Sequence, residues 1–109
     1  MNKQLVEKLV EKLLDVKDDQ WNGDETPFVT GKAYFIRTVT YHMLGKIERI
    51  SGNFLVLSDA SWIADSGRFN EAIAKGNLNE IEYVGDAILG IQTIVDAFPW
   101  SHKVPKESK

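Results

Sequence analysis

The chain of 109 residues contains no cysteine, which excludes disulfides, thiolate metal ligands and a cysteine nucleophile. Histidine is nearly as scarce. His42 and His102 are the only two, and two imidazoles without a thiolate do not by themselves make a common structural zinc site. No apolar run approaches the roughly 20 residues that span a bilayer. The opening "MNKQLVEKLVEKLL" interrupts its apolar positions with acids, unlike the core of a secretory signal. A phosphate-binding glycine loop is missing too, since Gly67 and Gly76 form neither a P-loop nor a dinucleotide fingerprint. Nor is there a basic stripe. The net charge of −3 sits in residues 1–26, where four Lys meet seven acids, while residues 27–109 hold nine charges of each sign. Duplex nucleic acid, which needs a phosphate-neutralising stripe, is therefore not an expected partner. The expectation is a soluble cytoplasmic protein with no membrane contact and no cofactor.

What is present suits one small core, with 43% apolar and 27% charged residues. Residues 3–17 carry apolar side chains at Val6, Leu9, Leu13 and Val16, the 3-4-3 spacing of an amphipathic helix. That stripe either covers the rest of the domain or pairs with a second copy, so its four residues are candidate oligomer contacts. "DDQWNGDETPF" (18–28) follows as an acidic connector broken by Gly23 and Pro27, with Trp21 as its anchor.

From Ala33 the pattern becomes β. "AYFIRTVTY" (33–41) and "GKIERI" (45–50) read as strands, and Ser51-Gly52-Asn53 as a hairpin turn. "FLVL" (54–57) is apolar on both faces and reads as a central strand. "GRFNEAIAK" (67–75) reads as a short helix capped by Asp65 or Ser66 and stopped by Gly76. "NEIEYV" (79–84) is a fourth strand ending at a Gly85-Asp86 turn, and "AILGIQTIVDAF" (87–98) a fifth with a bend at Gly90. These elements predict an α+β, mostly β fold: a five-stranded antiparallel, partly closed barrel of SH3-like or OB-like size. Its rival is an open sheet with both helices on one face. The domain divides into residues 1–26 (helix and connector), 27–100 (β-rich) and a polar, frayed tail at 101–109.

The chemistry concentrates in "LSDASWIADSGRF" (57–69). Ser58, Ser61, Trp62, Ser66, Arg68 and Phe69 supply hydroxyls, a guanidinium and aromatic faces, and Arg37 can add a second cation. Together they could cradle a small anionic or nucleotide-like ligand. The plainer account makes the aromatics core anchors and Arg68 a solvated first-turn residue, although an Arg there opposes the helix dipole. Asp59 and Asp65 could do metal or acid–base chemistry only if the fold brought them together. No catalytic or metal-ligating set is expected, and neither is an enzyme. His42 reads as a turn residue and His102 as a solvated one. Phe98 and Trp100, around Pro99, close the last strand either as a lid on the core or as an oligomer contact. The exposed edges of a small sheet also invite strand addition.

Three stretches, "FIRTVTYH", "DASWIADSGRF" and "IVDAFPW", carry a resemblance over about residues 31–100. In them the chain resembles small, mostly uncharacterised proteins encoded by bacteriophages and prophages. The resemblance implies a phage-type accessory protein in a bacterial host cell, acting as a non-enzymatic, homo-oligomeric binding module. Its implied partners are itself and either a nucleotide-like host signal sequestered in counter-defence or a host protein. A structural role as a virion or assembly component, using the N-terminal helix and sheet edges, is the alternative. No residue roles come with the resemblance.

Overall fold

Strand β1, Ala33–Thr38, buries both of its faces, with Tyr34, Ile36 and Thr38 on one side and Phe35 on the other. A strand apolar on both sides needs a neighbour at each edge and cover on each face. Its neighbours are β2 (His42–Ser51) and β5 (Ile94–Pro99). The computed structural model describes residues 26–109. The helix expected over 3–17, its stripe of Val6, Leu9, Leu13 and Val16, and the Trp21 anchor lie outside the described residues.

Strands β3 (Phe54–Asp65) and β4 (Glu80–Gly90) complete one sheet of order β4-β3-β2-β1-β5, antiparallel throughout. A single helix, α1 (Phe69–Lys75), joins β3 to β4. Five antiparallel strands with a helix between the third and fourth match the expectation. Closure does not: β4 and β5 stand at opposite ends of the strand order and do not pair with each other, so the sheet is open.

The open sheet is nonetheless coiled. A 3₁₀ turn, Ile91–Thr93, is all that links the last residue of β4 to the first of β5, on opposite edges. Such a link reaches about 14 Å at most, so the sheet must curl until its two edges meet at that end. Hydrogen bonds fasten it there. The Ile91 amide donates to the Asn53 carbonyl (2.8 Å), and the Val39 amide donates to the Thr93 carbonyl (3.0 Å). One apolar cluster draws on all five strands, with Tyr34, Ile36, Met43, Ile47, Leu57 and Leu89 among its members and Ala97 packed against it. Among the described residues no helix packs on that cluster, and the curl brings its five strands together. A second cluster, around Phe35, Leu44, Ile63 and Ile81, lies on the opposite face under Ala72 of α1, Leu78 and Trp100.

Three sequence expectations are corrected. First, β3 does not end at Leu57. It runs on to Asp65, and the register with β4 shifts between Leu57 and Ala60. Asp59 has the left-handed φ of +49°, and Gly85 on β4 has +85°. The turn chemistry at Asp59 and at Gly85-Asp86 is therefore real, but it makes a paired irregularity inside two long strands, not two reversals. Second, "NEIEYV" and the start of "AILGIQTIVDAF" are one strand, β4, and the true break falls at the 3₁₀ turn after Gly90. Third, the tail is not frayed. The Lys109 amide donates to the Ile81 carbonyl (2.9 Å), the Ile81 amide donates back (3.1 Å), and the Tyr83 amide donates to Ser108 Oγ (2.9 Å). The tail thus covers one stretch of the β4 edge. His102, expected to be solvated, donates from Nε2 to the Ile73 carbonyl at 2.7 Å.

Candidate functional site

The residues expected to form one cradle are distributed over both faces of the sheet. Successive side chains of a strand point to opposite faces. Ser61 pairs with Leu44 and lies on the helix-covered face, whereas Trp62 pairs with Met43 on the other. Ser61 is fully buried and its hydroxyl has no hydrogen-bond partner among the described residues. Trp62 is 38% exposed at the rim of the enclosed cluster. Ser58 stands opposite Lys46, beyond the Asp59 irregularity.

At the junction itself, Asp65 does not cap α1. Its Oδ1 accepts from the Gly67 amide (2.8 Å), forming a local turn, and its Oδ2 accepts from Asn79 (3.4 Å). The Ser66 hydroxyl donates to the Gly67 carbonyl (3.3 Å). The cap position belongs to Arg68, whose side chain makes no cap bond and is exposed. A helix of only seven residues presents a weak N-terminal dipole to an anion. Asp59 accepts from the Tyr83 hydroxyl (3.1 Å) and lies 4.0 Å from Lys106 Nζ. That hydrogen bond to a carboxylate raises the Tyr83 phenol above its ordinary range. Asp59 and Asp65 share one strand, six residues and roughly 20 Å apart, and are not brought together. Among the described residues no three His, Asp or Glu side chains converge as a metal set.

The structure does unite Arg37 with Phe69. Arg37 projects on the helix-covered face, its guanidinium 4.6 Å from the Phe69 ring centre and 5.5 Å from that of Phe98. Its charge is already met: Nε donates to Asp96 Oδ1 at 2.7 Å and Nη2 to Oδ2, a bidentate pair across the β1–β5 ladder. This bonding raises the Arg37 pKa and holds the Asp96 carboxyl below its ordinary range, with a smaller contribution from the charge of His42. His42 opens β2 and packs on Phe35 at 5.7 Å. The cluster staples β5 to β1 beside the Phe69 and Phe98 rings, which leaves Arg37 no unpaired charge for a ligand.

A group depressed in the folded state stabilises it above the ordinary carboxylate value, and that stability is lost as pH falls through the folded value. Acidification below about pH 3.9 is therefore expected to lower the urea midpoint. Asp96→Asn should flatten the midpoint's dependence over that window. An unchanged slope in the variant would remove the Arg37–Asp96 pair as its source.

The outer edge of β5 has no neighbouring strand among the described residues. The Trp100 amide donates to the Ala33 carbonyl at 2.9 Å. By the alternation of an antiparallel ladder, Phe98 and Asp96 also bond inward to β1 and Ala97 directs its amide outward, while at the bulge opposite Arg37 the register shifts, the Val39 amide bonds the Thr93 carbonyl, and Val95 faces β1 as well. Position 99, next in that outward series, is a proline and has no amide. Val95 is 66% exposed. Beside this edge runs an apolar groove of about 370 Å³, walled by Phe28, Tyr34, Ile91, Ile94 and the outward residues of β5. A proline in "IVDAFPW" was the available sequence signal, because strand prolines favour edges. Trp100, at 5% exposure, stacks with Phe35 at 6.2 Å and closes the core, which corrects its candidacy as an oligomer contact. Phe98, half-buried, packs on Phe69 at 5.1 Å. Among the described residues no helix is long and apolar enough to cross a membrane.

No protein-family model, curated protein or solved structure matches the chain.

Proposed function

We propose that this protein is a non-enzymatic protein-interaction module, a curled but open five-stranded sheet that takes an extended polypeptide strand along the outer edge of β5. The observation that carries this reading is the outward Ala97 amide on a strand edge without a neighbouring strand, beside an apolar groove. Backbone hydrogen bonds would supply affinity, and the groove would accept the alternate side chains of the added strand. The other edge is less suited, because the tail occupies β4 at Ile81 and Tyr83 and the left-handed Gly85 interrupts it further on. The ligand-cradle reading is weaker, since Asp96 holds Arg37 and the strand pleat separates Trp62 from Ser61. A phage origin, and with it a host protein or an assembly component as partner, rests on the sequence resemblance alone.

Hydrogen exchange at single amides tests the reading, with peptides selected on the protein from a displayed random library. The Ala97 amide should gain protection when a strand docks, while the Val95 amide, which faces β1, should not change. Ala97→Pro should weaken peptide binding while leaving the internal ladder intact, because the lost amide points outward. Absence of protection with every selected peptide and at every protein concentration would sink the proposal. So would peptides that act instead at exposed Phe54 and Ile88 on the far end of the sheet.

A further inference from the structure

The described chain starts at Thr26, at the lip of the groove beside β5, and Pro27 and Phe28 form part of that lip. They are held there. The Phe28 ring meets Tyr34 edge-on at 5.0 Å, and the Val29 amide donates to the Tyr34 hydroxyl at 3.0 Å. The connector just before, residues 18–25, reaches at most about 29 Å when fully extended. The stripe of Val6, Leu9, Leu13 and Val16 is therefore tethered within reach of the groove. We infer that the occupant of the groove is residues 3–17 of the same chain, docked through that stripe. The docking itself does not depend on the strand-addition reading; what it regulates does.

The dimensions agree. Helical spacing puts Val16 about 15 Å from Val6, and the strand Ile94–Pro99 is about 17 Å long. Anchors three, seven and ten residues after the first are the pattern with which an amphipathic helix enters an apolar groove. Charge singles out this groove among its neighbours. Asp96 is the only charged residue lining it, and Arg37 already binds that carboxylate. By contrast, Lys103 and Lys106 line the cleft beneath the tail, Glu48 and Asp86 that beside Ile88, and Lys32 and Lys46 that beside Trp100. An apolar stripe settles best where no charge has to be desolvated.

The tether decides between this segment and one from another molecule. A short linker holds its end at a millimolar effective concentration, which a separate copy matches only in millimolar solution. A helix of this length is marginal alone in water and draws its stability from packing its apolar face, so docking and helix formation are one event. The docked segment lies along the edge from which the Ala97 amide points. An added strand must displace it, and its apparent affinity falls by the fraction of chains whose groove is closed.

A nitroxide at Glu11→Cys, on the polar side of the stripe in a chain with no other thiol, reads the docking in the full-length protein. The amides of Ile94 and Ala97 should be broadened far more than those of Phe54 and Ile88. Leu9→Asp with Leu13→Asp in the labelled chain should remove that broadening. Gln4→Asp with Lys8→Asp, which place the charge off the stripe, should keep it. A mixture of spin-labelled protein with isotope-labelled wild type should show none, because the contact lies within one chain. Library-selected peptides should bind the Leu9→Asp, Leu13→Asp chain roughly 10- to 100-fold more tightly than wild type, the gain from opening a form that is about 90–99% closed.

Broadening that survives the stripe substitutions, or that centres on Phe54 and Ile88, overturns the inference. Broadening in the mixed sample also overturns it, in favour of a second copy. Unchanged peptide affinity in the Leu9→Asp, Leu13→Asp chain overturns the gating. If the broadening follows the stripe but no peptide protects Ala97 in either chain, the strand-addition reading falls and the docked segment stands.

Discussion

Phe35→Ala is expected to lower the unfolding free energy by about 3–5 kcal/mol, a large part of the 5–15 kcal/mol usual for a small domain. Phe35 is fully buried in the middle of β1, between Leu44 of β2 and Phe98 of β5. Its ring meets Phe69 edge-on at 5.7 Å and stacks with Trp100 at 6.2 Å, so one side chain ties the sheet to α1 and to the start of the tail. Truncation removes its buried area and leaves a void that stiff neighbours fill poorly. Chemical denaturation gives the measurement, and Phe54→Ala is the control. Phe54 is also an aromatic strand residue, but it is half-exposed at the far end of the sheet. The control should stay within about 1 kcal/mol of wild type. Equal losses at both positions would mean that the helix-covered cluster is not the main core.

The second large effect is at Gly76. It sits after α1 with φ +76°, the left-handed conformation that ends the helix, and its amide donates to the Ala72 carbonyl. A β-carbon here would lie 2.7 Å from Cγ of His102 and 2.8 Å from its Cβ. His102 cannot swing away cheaply, because it bonds the Ile73 carbonyl and packs edge-on against Trp100 at 5.0 Å. Gly76→Ala should cost about 1–2 kcal/mol for the backbone and about 1 kcal/mol more for the displaced hydrogen bond. The two parts separate in a double-mutant cycle. In a His102→Gly background, which removes the β-carbon as well as the ring, only the backbone part should remain. A full-sized loss in that background would show that the tail does not press on Gly76.

The same tail shows why some features could be read from residue order and others could not. Strand periodicity in "AYFIRT", the two-sided apolar run "FLVL" and the helix over Phe69–Lys75 are local properties, and each appears where its pattern lies. "SHKVPKESK" is polar and carries no local signal, yet it docks on β4 through backbone groups, which any sequence possesses. The glycine and aspartate signals at Gly85 and Asp59 reported unusual backbone torsions correctly. Whether such a torsion reverses the chain or bends a paired strand depends on the neighbouring strand, which is distant in sequence.

The candidate cradle failed to assemble for a related reason. Ser61 and Trp62 are adjacent in the chain, and a helix or loop could have aimed both at one ligand. As part of β3 they must face opposite ways, whatever their chemistry. Arg37 and Asp96 are 59 residues apart, so no local pattern could announce that the cation was already paired.

By itself the sequence determined a small α+β domain without thiol chemistry, with its charge held in the first 26 residues. It also set which short runs become strands, because side-chain pattern and turn chemistry act over a few residues. The tertiary structure alone decided the open edge. A three-residue link forces the sheet to coil, the tail takes part of one edge, and the alternation of hydrogen bonds leaves Ala97 facing outward on the other, next to a bulge that turns Val95 inward. Those outcomes depend on which strands become neighbours, and neighbourhood is a property of the whole chain.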